Sequence, residues 1–248
     1  MAVTRNGVGI TSLGTKSRPP IHSVPSTLIE PHTQYKDRYP EWITARDLNE
    51  GEWKVKSRAQ IYLPKVQAQQ DDEYRTYLEN ATFYNGVGIT VQSLMGSLFL
   101  HEPSIALYRS NNLAEPLNSD DYPENFTRSI DLERITKDGN SLNEFLRQIS
   151  TEIILTSRSG VLVDLPRIPS VIPKPYITLY KAEQIINWRY RTLLSGERIL
   201  DQVCLVEVKE MPSQYGMTEV QVFRVLGLDG NGEYYQEIIT PSADPSAV

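Results

Sequence analysis

The spacing of apolar residues changes along this chain, and that change constrains its fold more than any other feature. Up to Ile153, apolar residues recur at three- and four-residue steps, which is the period of amphipathic helices. After Pro175, short runs rich in β-branched and aromatic residues alternate with turn signals at Ser195-Gly196 and at residues 229–232. The order predicts an α+β fold, with long N-terminal helices followed by a mostly antiparallel sheet.

The first predicted helix is long and begins at Asp71, because apolar residues keep the helical period from there to Leu98. Gly86 and Gly88 lie inside this segment, and a glycine in a helix interior costs about 1 kcal/mol relative to alanine. We therefore expect a kink or a break into two helices at these glycines, and an end to the element at Pro103.

A second helix is predicted from Ser141, because Ser141 and Glu144 have the spacing of a capping box and an apolar stripe follows them. A buried strand over residues 161–165 comes next, and Pro166 bounds it. Five further strands are predicted to form an antiparallel meander, over residues 176–180, 185–191, 203–209, 220–226 and 234–239.

Composition limits the functions that this chain can have. Its net charge of −6 argues against a broad basic face for gripping nucleic acid. The one cysteine, Cys204, can form neither an internal disulfide nor a multi-cysteine zinc site. No run of about 18 apolar residues is present to cross a bilayer, so membrane insertion is not expected.

The motifs of common active sites do not occur. His22, His32 and His101 lack neighbours at metal-ligand spacing, and packing or surface roles are expected for them. Cys204 falls in an apolar strand pattern, which favours a buried, inert thiol. We predict no catalytic residue, no metal ligand and no cofactor site.

Aromatic residues next to arginine or lysine are the candidate site residues. Trp and Arg are enriched at subunit interfaces, so we predict subunit contacts at five positions: Trp42, Arg46, Trp53, Trp188 and Arg189. Packing of each indole into its own core is an equally good interpretation. A stacking platform for nucleic acid is the least favoured of the three.

Six segments, taken in order, resemble a family of portal proteins of tailed bacteriophages. They lie between residues 39 and 209 and comprise Tyr39-Pro40-Glu41-Trp42 with Ala45-Arg46-Asp47, residues 61–64, residues 83–96, residues 138–142, residues 159–164 and residues 182–188. No motif among them is catalytic, and their order carries the resemblance.

The resemblance implies a structural subunit and not an enzyme. Such proteins form a homo-oligomeric ring of about twelve subunits at one capsid vertex, with cyclic symmetry. Double-stranded DNA passes through the ring during packaging and ejection, and the ring connects head to tail. The implied partners are the major capsid or scaffolding protein, the terminase and a tail adaptor protein, and the implied location is the virion, after assembly in the host cytoplasm.

The resemblance also suggests a division of the chain. Residues 1–38, rich in Gly, Ser, Thr and Pro, are predicted to be a flexible arm, and residues 39–240 a wing-like α+β domain. Residues 241–248 are expected to be a tail that stops before the stem, clip and crown regions of such portals. The alternatives are a head-tail adaptor or minor capsid protein and, from another class, a hydrolase that uses acidic residues.

Overall fold

The computed structural model describes residues 30–103, 108–109, 112–116, 131–165, 174–213 and 216–240. The chain forms two compact units. The helical unit is Thr33–Gln184, and the sheet unit combines the described residues up to His32 with those from Ile185 onward. The predicted α+β class is confirmed, with helices preceding a mostly antiparallel sheet, while the predicted domain 39–240 contains residues of both units.

The helical unit contains five α-helices and two strand pairs within its described residues. They are α1 (Thr33–Glu50), α2 (Glu52–Ser57), α3 (Asp71–Asn80), α4 (Gly86–Leu98), β1 (Tyr108–Arg109), β2 (Asn112–Pro116), α5 (Leu142–Thr156), β3 (Ser159–Asp164) and β4 (Tyr176–Lys181). α1 packs against both α4 and α5, and α4 also packs against α5. These three helices therefore form the centre of the unit.

Helix α1 corrects the predicted flexible arm, because it begins at Thr33 and so includes the last six residues assigned to that arm. Pro40 lies inside the helix although proline lacks the backbone N–H that an interior position uses. The Thr44 hydroxyl donates a 2.8 Å hydrogen bond to the Pro40 carbonyl one turn away. Residues 1–29 of the predicted arm lie outside the described residues.

The segment predicted as one long helix from Asp71 forms two helices. The break expected near Gly86 and Gly88 is therefore confirmed, and the prediction of a single continuous element is wrong. A capping box of Gln70 and Glu73 starts α3 at Asp71. α3 ends at Asn80, and Asn85 caps α4 by accepting a 2.8 Å hydrogen bond from the Gly88 N–H. α4 ends at Leu98, before Pro103.

The second predicted helix is confirmed as α5, and the Ser141 hydroxyl accepts a 3.2 Å hydrogen bond from the Glu144 N–H. β3 follows as predicted, but it is not a buried strand, because Val161 and Val163 are 45% and 67% exposed. β4 pairs with β3 in a separate two-stranded sheet, so the assignment of residues 176–180 to the meander is wrong.

The sheet unit is a four-stranded antiparallel meander, as the turn signals predicted. Its strands are β5 (Ile185–Thr192), β6 (Arg198–Ser213), β7 (Gly216–Leu228) and β8 (Tyr234–Ile239), paired in that order. Gly196 in the β5–β6 turn and Gly232 in the β7–β8 turn have φ of +84° and +82°. Glycine adopts such left-handed values without the steric cost that a side chain brings.

Strands β6 and β7 are much longer than their neighbours. β5 pairs with β6 only as far as Leu205, and β8 pairs with β7 only as far as Phe223. Beyond those points, residues 207–213 and 216–222 pair with each other in a continuous register that ends at Ser213 and Gly216. We call this two-stranded extension the ribbon. Among the described residues, no other strand pairs with either of its edges.

Candidate functional site

The predicted contact residue Trp42 is buried inside the helical unit. Its side chain is 6% exposed, and its ring meets that of Tyr35 edge-on at a centroid distance of 5.6 Å. The Arg158 guanidinium lies 5.7 Å from the centre of the Trp42 ring. This position corresponds to the alternative interpretation, packing of the indole within its own core, and not to a surface offered to a neighbour.

Arg46, the second predicted contact residue, holds two carboxylates together inside the same unit. Its Nη1 and Nη2 donate to Glu152 at 3.2 and 2.6 Å, while Nε and Nη2 donate to the two oxygens of Glu183. The side chains of Arg46, Glu152 and Glu183 are only 18%, 9% and 16% exposed. Arg46 therefore joins α1, α5 and the short 3-10 helix Ala182–Gln184 rather than facing a second subunit.

The charges in this cluster shift the pKa values of its members. The hydrogen bond to Glu183 raises the pKa of Arg46, against the effect of burial. Burial alone would raise the pKa of Glu183, but the hydrogen bond and charge of Arg46 lower it below its ordinary value. Tyr35 donates a 3.0 Å hydrogen bond to the Glu183 carbonyl, and burial, with the nearby Tyr39 and Glu183, raises its pKa to about 12.

Asp47, next to Arg46, is a second buried carboxylate that the sequence did not single out. It is 2% exposed, and it accepts a 2.7 Å hydrogen bond from the Tyr62 hydroxyl. Arg58 Nε lies 3.1 Å from the same Asp47 oxygen. Burial, followed by this hydrogen bond to Asp47, raises the pKa of Tyr62. Both acidic clusters are consequently ion-paired, which is the arrangement expected for structural carboxylates.

The other three predicted contact residues keep part of their surface exposed. Trp53 is 74% exposed on α2, with the Lys54 ammonium 5.8 Å from its ring centre. Trp188 is half-buried and stacks on His32, with 4.1 Å between ring centroids, so the His32 ring has a packing role. The Arg189 side chain is 62% exposed.

Arg189 lies at an open cleft in the sheet unit, at the end formed by the β5–β6 and β7–β8 turns. The cleft has a volume of about 480 Å³ and is lined by Arg189, Tyr190, Arg191, Asp201, Leu228, Asp229 and Gly230. Arg189 Nε and Nη2 donate to Asp201 Oδ2 at 3.0 and 2.6 Å. Arg191 Nε is 3.2 Å from Asp201 Oδ1 but finds no hydrogen-bond acceptor among the described residues. Two guanidinium groups therefore share one carboxylate.

Helix α4 exposes several apolar side chains, although its sequence pattern did not mark it as a contact surface. None of its 13 residues is charged, yet only Gly88 and Val91 are buried. The exposed apolar side chains on α4 and its flanks are Tyr84 (81%), Ile89 (49%), Leu94 (49%), Leu98 (60%) and Leu100 (76%). We call these five residues the α4 surface. Leu94 and Leu98 are four residues apart and so lie side by side on the helix, and adjoining exposed apolar side chains are typical of contact sites.

Cys204 is buried as predicted, with 1% of its surface exposed, and burial raises the pKa of its thiol to about 11. A thiol held protonated in this way is a poor nucleophile. Within the described ranges, no group of three or more His, Cys, Asp or Glu side chains is arranged to hold a metal ion. In the same ranges, no helix has the length and apolar character needed to span a membrane.

Neither a comparison with the models of known protein families nor a search of curated proteins found a match to this chain. Any proposal about its function therefore rests on its sequence and on its own geometry. Two features of that geometry leave apolar side chains or strand edges uncovered among the described residues: the α4 surface and the ribbon.

Proposed function

We propose that this protein is a structural subunit of the portal ring of a tailed bacteriophage. In this proposal, copies assemble at one capsid vertex around a channel for double-stranded DNA, and the ring contacts the capsid, the terminase and a tail adaptor. The sequence supports it through six segments that resemble portal proteins in the same order. The observation that carries it is the α4 surface, because an uncharged helix that is exposed in a single chain is suited to burial between subunits.

Assembly would stabilise this helix through the hydrophobic effect. Complete burial of a leucine contributes about 1.5 to 3 kcal/mol, and about half of Leu94 and Leu98 is still available for burial. Together these two side chains would contribute about 2 to 3 kcal/mol to each contact. That range corresponds to roughly a 30- to 150-fold change in the affinity of one subunit for the next.

The charge of the chain is compatible with a channel protein. A net charge of −6 disfavours tight, non-specific binding to phosphates, and packaging requires DNA to slide without being held. Head-to-tail contacts related by rotation would close the subunits into a ring. Bond chemistry is not part of this proposal.

The test is to measure the size of the assembled protein by native mass spectrometry and to image it by electron microscopy. Rings of on the order of a dozen subunits with a central hole support the proposal. Monomers or dimers over the whole accessible concentration range would contradict it, and would favour an adaptor or an enzyme.

A pair of matched variants makes the test specific for the α4 surface. Leu94→Gln combined with Leu98→Gln should reduce ring formation while leaving the circular dichroism spectrum unchanged, because both leucines are exposed. Leu194→Gln is the control, since Leu194 is fully exposed in the β5–β6 turn. If rings form equally well with and without the α4 leucines, this surface does not hold the subunits together.

A further inference from the structure

The two-stranded sheet of β3 and β4 has one face that is entirely aliphatic and partly exposed. Val161 pairs with Leu179 and Val163 pairs with Ile177, so these four side chains lie on the same face. Val161 and Val163 are 45% and 67% exposed. We call these four residues the β3–β4 outer face. The solvent side of an antiparallel sheet ordinarily carries polar residues, so an aliphatic one indicates contact with another apolar surface.

The opposite face of the same sheet is already covered by the helical unit. Tyr180 lies on that face, one position along β4 from Leu179, and it is only 4% exposed. Both strands pack against α5. Because a two-stranded sheet is only marginally stable by itself, covering its second face would stabilise it further. The β3–β4 outer face is the side that a partner can still cover.

The leucines of the α4 surface also point away from α5. Phe99 directly follows α4, and the Arg147 guanidinium of α5 lies 4.7 Å from the centre of its ring. Leu94 precedes Phe99 by five positions, which is about 140° around a helix with 3.6 residues per turn. Leu98 lies one turn after Leu94 on the same side of the helix. Leu94 therefore faces away from the helix on which α4 packs.

One copy cannot bring these two faces together. α4 and the β3–β4 sheet both pack against α5, and both apolar faces point away from it. A second copy can place its α4 surface on the β3–β4 outer face of the first, and its own outer face then stays free for a third copy. This is the geometry of a head-to-tail contact, which closes into rings when the rotation between copies allows it.

The number of faces favours a second copy of this chain as the partner. A ring built from one kind of contact needs two different surfaces on every copy, and the α4 surface supplies one of them. The β3–β4 outer face supplies another place in the helical unit where exposed aliphatic side chains adjoin. Neither α4 nor the outer face carries a charged residue, so joining them leaves no charge buried without a partner.

We propose that the α4 surface of one copy packs on the β3–β4 outer face of the next copy. Leu94 and Leu98 lie across Val161 and Val163 in this contact. The inference deepens the proposed ring and rests on it, because it names the second surface through which the subunits join.

Cross-linking of introduced cysteines with a short bismaleimide tests the contact. The natural Cys204 is 1% exposed and does not compete. Ser97→Cys marks the exposed side of α4, and Val163→Cys marks the outer face. Leu194→Cys is the control, because Leu194 is fully exposed in the β5–β6 turn. Differently tagged variants are co-expressed, cross-linked and separated by size, and the same preparations are examined for rings by native mass spectrometry. The proposal predicts a cross-link from position 97 to position 163 and none above background from position 97 to position 194.

An exchange of charges tests which two faces meet. Leu94→Lys alone and Val163→Glu alone should each lower the yield of rings by about tenfold or more, because each places an unpaired charge in an apolar contact. The two substitutions combined in one chain put opposite charges on the two sides of every contact and should restore much of that yield. Leu94→Lys combined with Val163→Lys is the matched control and should restore none. Both positions are exposed in the single chain, so the circular dichroism spectrum should not change in any of these variants.

The two proposals fail in different ways. Rings without the cross-link between positions 97 and 163, or with an equal cross-link to position 194, overturn this contact and leave the ring. Rings that form equally well with Val163→Glu, or a ring yield that the opposite charges do not restore, also overturn it. The cross-link in open oligomers without rings supports the contact and overturns the ring. A chain that stays monomeric at every accessible concentration overturns both.

Discussion

Replacement of Arg46 by methionine should destabilise the helical unit strongly without acting through subunit contacts. The guanidinium makes four hydrogen bonds to Glu152 and Glu183. Once it is removed, the nearest cation of this cluster is Lys181, whose Nζ is 3.8 Å from Glu152 and whose side chain is 55% exposed. Two nearly buried carboxylates would then lie close together with little positive charge to balance them.

The expected loss is about 3 to 5 kcal/mol, the range for removing one partner of a buried ion pair. With a urea dependence of about 2 kcal/mol per M, the unfolding midpoint should fall by roughly 2 M. Fluorescence of the buried Trp42 follows this transition. Arg46→Lys should lose less, because it keeps the charge and loses only the two-pronged geometry.

The matched control is the triple variant Arg46→Met, Glu152→Gln, Glu183→Gln, which removes the charges together and should recover much of the lost stability. Acid provides a second check. Because the pKa of Glu183 is lowered in the folded protein from an ordinary value near 4.5, its ion pair stabilises the fold above that value and is lost as the pH falls through the lowered pKa. The difference in the free energy of unfolding between wild type and Arg46→Met should therefore become smaller as the pH falls. A loss below about 1 kcal/mol at neutral pH, or a gap unchanged in acid, would refute the role assigned to Arg46.

Two further predictions concern local packing and ionisation. Gly88→Ala should lower the free energy of unfolding by about 1 kcal/mol or more, because the new Cβ would lie 2.6 Å from the side-chain amide of the capping Asn85. Gly96→Ala lies in open space on the same helix and should raise the free energy of unfolding by up to about 1 kcal/mol. Equal effects of the two variants in chemical denaturation would contradict this packing. Burial raises the pKa of the Cys204 thiol from 9.0 to about 11, so its contribution to stability is complete below pH 9 and is lost between pH 9 and 11. In urea titrations across that window, Cys204→Ala should therefore lose less free energy of unfolding than the wild type as the pH rises. An identical loss would argue against a buried thiol.

The strands of the sheet were easier to predict from the sequence than helix α1, because their turns are determined by local sequence and α1 has few buried apolar residues. β8 begins and ends where its apolar run predicted, because Gly232 and its neighbours form a turn that only local sequence determines. α1 was missed because Pro40 interrupts the helical pattern and because only Trp42 and Asp47 of its 18 residues are buried, one of them charged. A helix with so small an apolar face gives little periodic signal.

Local sequence patterns could not predict which residues the candidate side chains contact. Arg46 meets Glu152 and Glu183 across 106 and 137 residues of sequence, and such pairs follow only from the tertiary fold. The same holds for the exposed face of α4, since its apolar period predicts a buried helix and gives no measure of how much the neighbouring helices cover. Arg189 and Trp53 were singled out by residue type alone; both side chains are exposed, and the subunit contacts assigned to them stay a prediction.

The sheet unit is built from two segments that lie far apart in the sequence, and this affects how it can fold during synthesis on the ribosome. The Asn187 side chain donates a hydrogen bond to the Glu30 carbonyl from 157 residues away, and the His32 N–H donates to the Ile186 carbonyl. At about 5 to 20 residues per second, residues 30–32 wait on the order of ten seconds for β5 to be translated. The helical unit emerges whole in that interval and can fold during synthesis, while the sheet unit has to be completed afterwards.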